Sequence, residues 1–513
     1  MIKRILFLIV IVVASCLTVN AQRYLSQIFT DAQITVTSNI IYGNNFSFLT
    51  GAPTAADLYM DIYSPDAAID PVTKPLIIYI HTGSFLPAVV NGTPTGTKTD
   101  SASIEMCRQF AKRGYVVASI DYRLGWNPIA TYQGIRTGTL LNAVYRSIQD
   151  TKACVRYFRK SVGSGNPYLI DSSKIILGGQ GSGGYVAMAY ATLDKTAEIN
   201  LTKFLADSTI PAYGFVQGQS YINQAVSGDF DGYGGVPTYN NPNNSPGFNT
   251  DVQFVFNMGG ALGDSSWLEA GDAPMVAFHV VGDPFAPFGD GPVIVPTTGG
   301  FVVNVSGSRT VITKANALGN NNCFINAGFT DPYTLAANQT NLGQDGLNPF
   351  AMTPAMQAGP WEWFDLQATR NFAQFLGYPP SEGDSVYNDA LITNPNMSKA
   401  KALAHIDTIQ NYVNPRIVYC LGLTSGISEN EAVASSLTAF PNPSSAGMTI
   451  ELKQKDNHIT AIDLFDLTGR SITKIDGVNT SSYRIDRKGI EPGIYIARVR
   501  TEKGEAPVRI IFN

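Results

Sequence analysis

Residues 74–280 alternate between continuous apolar runs and longer mixed segments. The apolar runs at 76–80 and 115–120 are typical of strands that are buried on both faces of a sheet. Further strands are predicted at 175–177, 252–256 and 275–280, and helices at 103–113, 140–161, 185–193 and 397–413. This alternation predicts an α/β fold, with a doubly wound, mainly parallel sheet that carries helices on both faces.

Two regions depart from this pattern. Residues 213–250 are rich in Gly, Asn, Pro, Tyr and Ser, and so long a segment without regular structure is usually a lid or binding loop. After residue 423 the pattern becomes that of a small all-β sandwich, with turns at Thr468-Gly469 and Pro492-Gly493. Its predicted strands are 449–452, 461–466, 482–485 and 494–500. The predicted organisation is a leader at 1–21, an α/β domain at 22–423, a linker at 424–436 and a β domain at 437–513.

The first 21 residues have the pattern of an export signal. Lys3 and Arg4 precede the apolar stretch 5–14, and small residues at 19–21 offer a cleavage site before Gln22. Ten apolar residues are too few to span a bilayer. A second interpretation stays open, because Cys16 ends a segment that resembles a lipoprotein cleavage box and would then be lipidated.

Composition and charge narrow the classes of function. The 513 residues are 44% hydrophobic and 15% charged, which favours a folded chain with a large core. With 35 basic and 40 acidic residues, the net charge is −5, and no basic run is suited to nucleic acid. We expect no metal and no cofactor. Free thiols and any of the alternative disulfide pairings remain open for the four cysteines beyond the leader, Cys107, Cys154, Cys323 and Cys420.

Three motifs mark the C-terminal β domain: Phe440-Pro441-Asn442-Pro443, the segment 464–470 (LFDLTGR) and the segment 489–495 (GIEPGIY). With this spacing, the domain resembles the type A C-terminal sorting domain of the type IX secretion system of Bacteroidetes. The resemblance implies that residues 437–513 bind the translocon and its sorting peptidase. It also implies transit through the periplasm, removal of the tail, and release from the cell or attachment to its surface.

Motifs at the ends of predicted strands in the large domain resemble the carboxylesterase-like branch of the α/β-hydrolases. His81-Thr82-Gly83-Ser84-Phe85 follows the strand at 76–80, where that family has a His-Gly-Gly-Gly-Phe-like sequence, and Ser119–Leu124 contains the Asp-Tyr-Arg marker of that branch. The resemblance implies that the backbone N–H groups of Gly83 and Ser84 face an oxyanion, and that His81 is structural. Asp283, after the strand at 275–280, falls on the acid of the catalytic triad.

The glycine-rich segment 178–184 aligns with the nucleophile elbow of that family. Without gaps, the nucleophile position is Gly181, Gly179 and Gly183 are the small flanking residues, and Ser182 supplies an oxyanion N–H. A register shifted by one residue makes Ser182 the nucleophile. Both registers stay open at this point.

The sequence offers no clear catalytic base. In this family the histidine follows the acid along the chain, yet no histidine lies between Asp283 and Ala404, and the expected loop at 357–363 has none. His405 is the remaining candidate in this domain. We therefore predict a secreted or cell-surface, carboxylesterase-like protein with a degenerate triad, which binds a small ester or carbohydrate ligand or is weakly active. The alternative is an active extracellular serine hydrolase that uses Ser182, Asp283 and His405.

Overall fold

The computed structural model describes residues 23–295, 298–423, 433, 436–454, 456–466 and 470–513. The expected leader at 1–21, most of the expected linker and the Thr468-Gly469 turn lie outside the described residues. The chain divides into two compact units, Gln22–Leu423 and one that includes Thr424–Asn513. No helix in the described part of the chain combines the length and apolar character needed to cross a bilayer.

The large unit is built on an eight-stranded sheet with the strand order β1-β2-β4-β3-β5-β6-β8-β11. All neighbours from β4 to β11 are parallel, whereas β1 and β2 form an antiparallel edge. Strands β7, β10 and β9 form a separate small sheet. The strand bounds are β1 Ile34–Ser47, β2 Thr54–Pro65, β3 Lys74–Ile80, β4 Val116–Ile120, β5 Ile170–Gln180, β6 Phe254–Met258, β7 Ala261–Leu262, β8 Met275–Val280, β9 Asp290–Ile294, β10 Phe301–Gly307 and β11 Leu347–Phe350.

Helices cover both faces of the central sheet. The first core cluster lies between the sheet and helices α2, α3 and α5, and the second lies between the opposite face and helices α1 and α10. Every residue of β3 is buried, as expected of a strand covered on both sides. The helix bounds are α1 Ser101–Lys112, α2 Gln133–Gly163, α3 Ser182–Thr192, α4 Gln224–Ser227, α5 Ser308–Ala317, α6 Asn322–Ile325, α7 Pro332–Ala337, α8 Leu366–Phe375, α9 Pro380–Thr393 and α10 Lys399–Cys420.

This architecture confirms the predicted α/β class and the mainly parallel sheet. The main difference in an element concerns α2, which begins at Gln133, seven residues before the predicted start at 140. Gly138 disfavours a helix by intrinsic propensity, but its missing side chain lets the ring of Phe215 approach. A Cβ atom on Gly138 would lie 2.4 Å from that ring. Tertiary packing therefore extends the helix beyond its sequence pattern.

Residues 213–250 are mostly irregular and contain the short helix α4. Several of their hydrogen bonds run to β1 and α2: the side chain of Asn45 donates to Asn240, and Arg156 donates to the carbonyl oxygen of Asn244. No hydrogen bond among the described residues joins this segment to Gly181 or Asp283. These contacts place part of this segment along β1 and α2, and its role as a lid or binding loop stays a prediction.

The C-terminal unit is all β, as predicted. It contains a three-stranded sheet, β12-β13-β16, and a four-stranded antiparallel sheet, β15-β14-β17-β18. Strands β15 and β18 were not predicted, because their half-exposed, alternating residues include several polar ones. The bounds are β12 Leu437–Phe440, β13 Gly447–Leu452, β14 Ile459–Asp466, β15 Ser471–Thr480, β16 Ser482–Asp486, β17 Gly493–Thr501 and β18 Gly504–Phe512.

One disulfide bond closes the C-terminal end of the large unit. It joins Cys323 of α6 to Cys420, the last residue of α10. Cys107 and Cys154 are buried free thiols. The structure thus selects one pairing from those that the sequence left open.

Candidate functional site

The carboxyl ends of the parallel strands bring the sequence-predicted residues to one edge of the sheet. Gly83 follows β3, Gly181 follows β5, and Asp283 follows β8. Glu362 lies in the loop after β11, the last parallel strand. In open α/β sheets, ligands bind in the crevice outside these strand ends.

Gly181 occupies the tip of the turn between β5 and α3. Strand β5 ends at Gln180, α3 begins at Ser182, and Gly181 between them has φ 52° and ψ −121°. A positive φ of this kind favours glycine and is the strained geometry of a nucleophile elbow. The register centred on Gly181 fits this turn, whereas Ser182 is already helical.

The glycines on either side of the tip are sterically required. A Cβ atom on Gly183 would lie 2.1 Å from the carbonyl oxygen of Ile80, and one on Gly179 would lie 2.1 Å from that of Gly183. These contacts let the first turn of α3 pack directly against β5 and the end of β3. The flanking glycines of the unshifted register therefore have the role that the elbow demands.

Thr82 occupies the space beside the tip that a nucleophile's side chain would need. A Cβ atom on Gly181 would lie 2.2 Å from Thr82 Oγ1 and 3.1 Å from Thr82 Cβ. The hydroxyl of Thr82 makes no hydrogen bond within the described residues, and the side chain is half-buried. Gly181 and Thr82 therefore fit together as a pair.

Ser182 is held in the first turn of α3, with its side chain buried. Its Oγ lies 2.9 Å from the hydroxyl of Tyr122, which also donates to the carbonyl oxygen of His81 at 3.0 Å. These bonds connect the elbow to the Asp-Tyr-Arg segment. The contacts of Ser182 are thus those of a structural hydroxyl.

The predicted oxyanion donors are free of intramolecular partners. The backbone N–H groups of Gly83, Ser84 and Ser182 donate no hydrogen bond to any described residue. Gly83, Ser84 and Phe85 have φ values of 131°, 52° and 55°, so three consecutive residues lie in the left-handed region. Unpaired N–H groups in such a turn, next to a helix N-terminus, can bind an oxygen that carries negative charge.

Asp283 keeps the loop contacts of a triad acid, but no histidine of the described residues is hydrogen-bonded to it. Its Oδ1 accepts from the backbone N–H groups of Phe285 at 2.7 Å and Ala286 at 3.2 Å. A Cβ atom on Gly259 would lie 3.5 Å from Asp283 Oδ2 and 3.5 Å from Trp361 Cη2, so both side chains lie beside this glycine. Burial raises the pKa of Asp283 to about 7.

Glu362 lies in the loop where the sequence resemblance expected a histidine. Its Oε1 accepts a hydrogen bond of 2.9 Å from the side-chain amide of Gln180, the residue before the elbow tip. Burial raises its pKa to about 8, and the negative charges of Asp100 and Asp283 act in the same direction. The sequence analysis does not identify Glu362, because the family resemblance predicts a histidine in this loop and gives no signal for a glutamate.

The histidines of the large unit do not complete a triad. The ring of His405 packs on Phe350, with 5.2 Å between centroids, and it makes no hydrogen bond with Ser182 or Asp283 among the described residues. His279 is buried and bonds with Ser308 Oγ and the carbonyl oxygen of Ala286. His81 stacks on Tyr122, consistent with its expected structural role.

The tryptophans of the large unit, whose rings could stack on a sugar, have mostly internal contacts. Trp267 is buried and donates to the carbonyl oxygen of Glu198, while Trp126 donates to that of Arg136. Trp361 is buried, and its Nε1 has no partner among the described residues. The described part of the chain contains no group of three or more His, Cys, Asp or Glu residues arranged to hold a metal ion.

Two family matches agree with this geometry. Residues 60–216 match the BD-FAE family, whose members are esterase-like α/β-hydrolases, and the match includes the oxyanion loop and the elbow. Residues 438–513 match the secretion system C-terminal sorting domain. The chain carries an α/β-hydrolase domain and a sorting domain. The sorting domain indicates export to the cell surface or secretion.

The hydrolase domain is also similar to solved structures of esterase 2 from the planctomycete Thermogutta terrifontis. The paraoxon-phosphorylated form shows 17% identity over 50% of this chain and 75% of that chain, with a TM-score of 0.28. The butyrate-bound form shows 18% identity over 45% and 70% of the two chains, with a TM-score of 0.27. No curated protein shows significant similarity to the chain.

Proposed function

We propose that this is an exported, carboxylesterase-like protein that binds a small ester, or a related carbonyl compound, without forming an acyl-enzyme. The observation that carries the proposal is the elbow tip. Gly181 has no side-chain oxygen, and the hydroxyl of Thr82 fills the space in which a serine would stand. Covalent acyl transfer needs a nucleophile at that point and a base to activate it.

The retained oxyanion donors support the binding of a carbonyl oxygen. The N–H groups of Gly83, Ser84 and Ser182 have no acceptor in the described part of the chain. An ester or ketone oxygen would satisfy such donors, and a water-poor crevice would strengthen the bonds. In the proposed site, the nucleophile of the triad is absent, but the N–H donors that would bind a carbonyl oxygen are retained.

The geometry gives less support to an active hydrolase that uses Ser182, Asp283 and His405. In that mechanism Ser182 Oγ would donate to an imidazole, which Asp283 would orient. Instead, Ser182 Oγ bonds with Tyr122, and the ring of His405 packs on Phe350. The two residues come from different helices, α3 and α10.

Calorimetric titration with phenylacetone, a ketone isostere of phenyl acetate that cannot be hydrolysed, tests the binding site. We expect saturable binding that is lost in Thr82→Tyr, because the larger ring would fill the space over the elbow. Thr50→Tyr, at an exposed turn of the same unit, is the matched control and should bind as the unmodified chain does. Unchanged binding in Thr82→Tyr would contradict the proposed site.

The sorting domain supports a more specific route of export. We propose that residues 437–513 bind the type IX translocon and its sorting peptidase after transit through the periplasm, and that the tail is then removed. Fusing residues 424–513 to a periplasmic reporter in a host with this system tests the route. Reporter outside the cell, shortened by about the mass of the tail, is the expected result, and reporter retained in the periplasm is the contrary one.

A further inference from the structure

We propose that Glu362 activates a water molecule for direct hydrolysis of an ester bound in this cleft. The inference rests on the proposed function, because it uses the same carbonyl site and also forms no acyl-enzyme. It assigns an activity to a site that has lost its nucleophile. Four sets of observations support it.

The first is the position of Glu362 in the fold. The loop between β11 and α8 is the one from which a base should reach the site, given the chain order nucleophile, acid, base. Glu362 Oε1 is bonded at 2.9 Å to Gln180, and Gln180 directly precedes the elbow tip. The carboxyl group is therefore held, through the side chain of Gln180, near the turn that carries one of the oxyanion donors, the N–H group of Ser182.

The second is the way in which the carboxyl group is fixed. Gln180 is buried, and its Oε1 accepts from the hydroxyl of Tyr79 at 2.8 Å, so its amide N–H must point at Glu362. The backbone carbonyl of Glu362 accepts from Asn394 at 3.1 Å. Among the described residues, Glu362 Oε2 accepts a single long hydrogen bond of 3.4 Å, from Thr95 Oγ1. That oxygen therefore retains the capacity to accept a proton from water.

The third is the charge around this carboxyl group. Asp100 and Asp283 face it with negative charge, the neutral hydroxyl of Tyr79 lies behind Gln180, and no cationic side chain is paired with it among the described residues. Burial and these like charges move its pKa into the range of a base that works near neutral pH. An ordinary exposed glutamate would be too weak a base.

The fourth is Thr82, whose free hydroxyl lies at the point from which a nucleophile would attack. A water molecule that accepts or donates a hydrogen bond at Thr82 Oγ1 would be held next to that point. The ring of His81 contacts the backbone carbonyl oxygen of Thr82, and no imidazole among the described residues is hydrogen-bonded to Thr82 Oγ1. This hydroxyl is therefore a hydrogen-bonding group here and not an activated nucleophile.

The reaction balances without a cofactor. The carboxylate of Glu362 takes a proton from water as the water oxygen forms a bond to the ester carbonyl carbon. The negative charge on the carbonyl oxygen is held by the N–H groups of Gly83, Ser84 and Ser182. The tetrahedral intermediate then collapses, the bond to the alkoxy oxygen breaks, and Glu362 returns the proton to the leaving alcohol. The products are one carboxylic acid and one alcohol.

Hydrolysis of p-nitrophenyl acetate by the full chain, corrected for the buffer reaction, tests the proposal. We expect a slow turnover whose rate rises with pH and levels off above about 8, where Glu362 is ionised. Glu362→Gln keeps an oxygen for Gln180 but removes the base, so its rate should fall roughly 100-fold and lose the inflection. Glu382→Gln, at an exposed position in α9, is the matched control and should retain the full rate.

A second variant tests the proposal independently in case Glu362→Gln does not fold. Asp283→Asn removes a negative charge that faces Glu362, so the inflection in the pH–rate profile should move to lower pH. No turnover by the unmodified chain, or a rate that Glu362→Gln leaves unchanged, would overturn the water-activation proposal alone, provided that phenylacetone still binds. An acetylated protein in a rapid-quench mass spectrum would instead overturn the proposed function.

Discussion

A side chain at Gly181 and the hydroxyl of Thr82 cannot occupy the elbow together: a Cβ atom on Gly181 would lie 2.2 Å from Thr82 Oγ1. The resemblance to carboxylesterases places a glycine at position 82 and a serine at position 181. In this chain the positions are reversed: the hydroxyl-bearing residue is Thr82, and the glycine is Gly181. Relative to that pattern, this chain has a hydroxyl group at position 82 and no side-chain oxygen at position 181.

A double-mutant cycle at these two positions measures the steric relationship. Gly181→Ala should lower the free energy of unfolding by about 2 to 4 kcal/mol, because it adds strain at a positive φ and a clash. In a Thr82→Gly background the same substitution should cost about 1 kcal/mol less. Urea unfolding gives both values. Strictly additive effects would show that Thr82 does not fill the space beside Gly181.

The flanking glycines give a second prediction. Gly183→Ala should destabilise the hydrolase domain by about 3 kcal/mol or more, because the added Cβ would overlap the backbone carbonyl of Ile80, which cannot move away cheaply. Gly163→Ala at the end of α2 meets no atom within 4 Å and should be neutral or slightly stabilising. Thermal unfolding of both variants checks this contrast, and equal melting temperatures would contradict it.

Stability should decrease as the pH rises through the neutral range. Asp283 and Glu362 have folded-state pKa values of about 7 and about 8, above those of ordinary carboxyl groups in an unfolded chain. Below about pH 4 both states are protonated, and the folded state has no penalty from these groups. As the pH rises to about 8, ionisation favours the unfolded state, and stability is lost.

The variant that combines Asp283→Asn and Glu362→Gln removes this dependence. At pH 9 it should be more stable than the unmodified chain by roughly 1 to 2 kcal/mol, after allowance for partial solvent screening of both carboxyl groups. At pH 4 the two proteins should be similar. Denaturant unfolding at both pH values checks the prediction, and parallel pH profiles would contradict it.

The number of reactive thiol groups before and after reduction tests the disulfide pairing. In a chain that lacks residues 1–21, denaturation without reductant should expose two reactive thiols, those of Cys107 and Cys154. Reduction should release two more, from Cys323 and Cys420. Because this disulfide closes a long loop, Cys323→Ser with Cys420→Ser should destabilise the domain by about 2 to 4 kcal/mol. Four thiols before reduction would contradict the pairing.

The sequence predicts the frame of this site because the frame depends on local pattern. Apolar runs place the parallel strands, and the spacing of Gly179, Gly181 and Gly183 matches the elbow that the structure contains. Asp283 likewise follows its strand at the expected edge of the sheet. Each of these features lies within one short segment, so the local sequence is sufficient to predict it.

The remaining features depend on contacts between distant segments. Within its own motif, Thr82 is a departure from the glycine of the family. The pairing of β3 with β5 places its side chain against Gly181, and the sequence does not show this contact. In the sequence, Glu362 is one residue of a loop that has no histidine. Its position in the site depends on a hydrogen bond from Gln180, which lies 182 residues earlier in the chain. Neither periodicity nor spacing contains such a relationship.

The central claim is that no side chain of this elbow acts as a covalent nucleophile. Intact-mass spectrometry after incubation with a fluorophosphonate, which reacts with activated serine hydroxyls, tests it most directly. The structure predicts that the mass stays unchanged, because Gly181 has no oxygen and Ser182 Oγ bonds with Tyr122. A single phosphonyl adduct that disappears in Ser182→Ala would contradict the account.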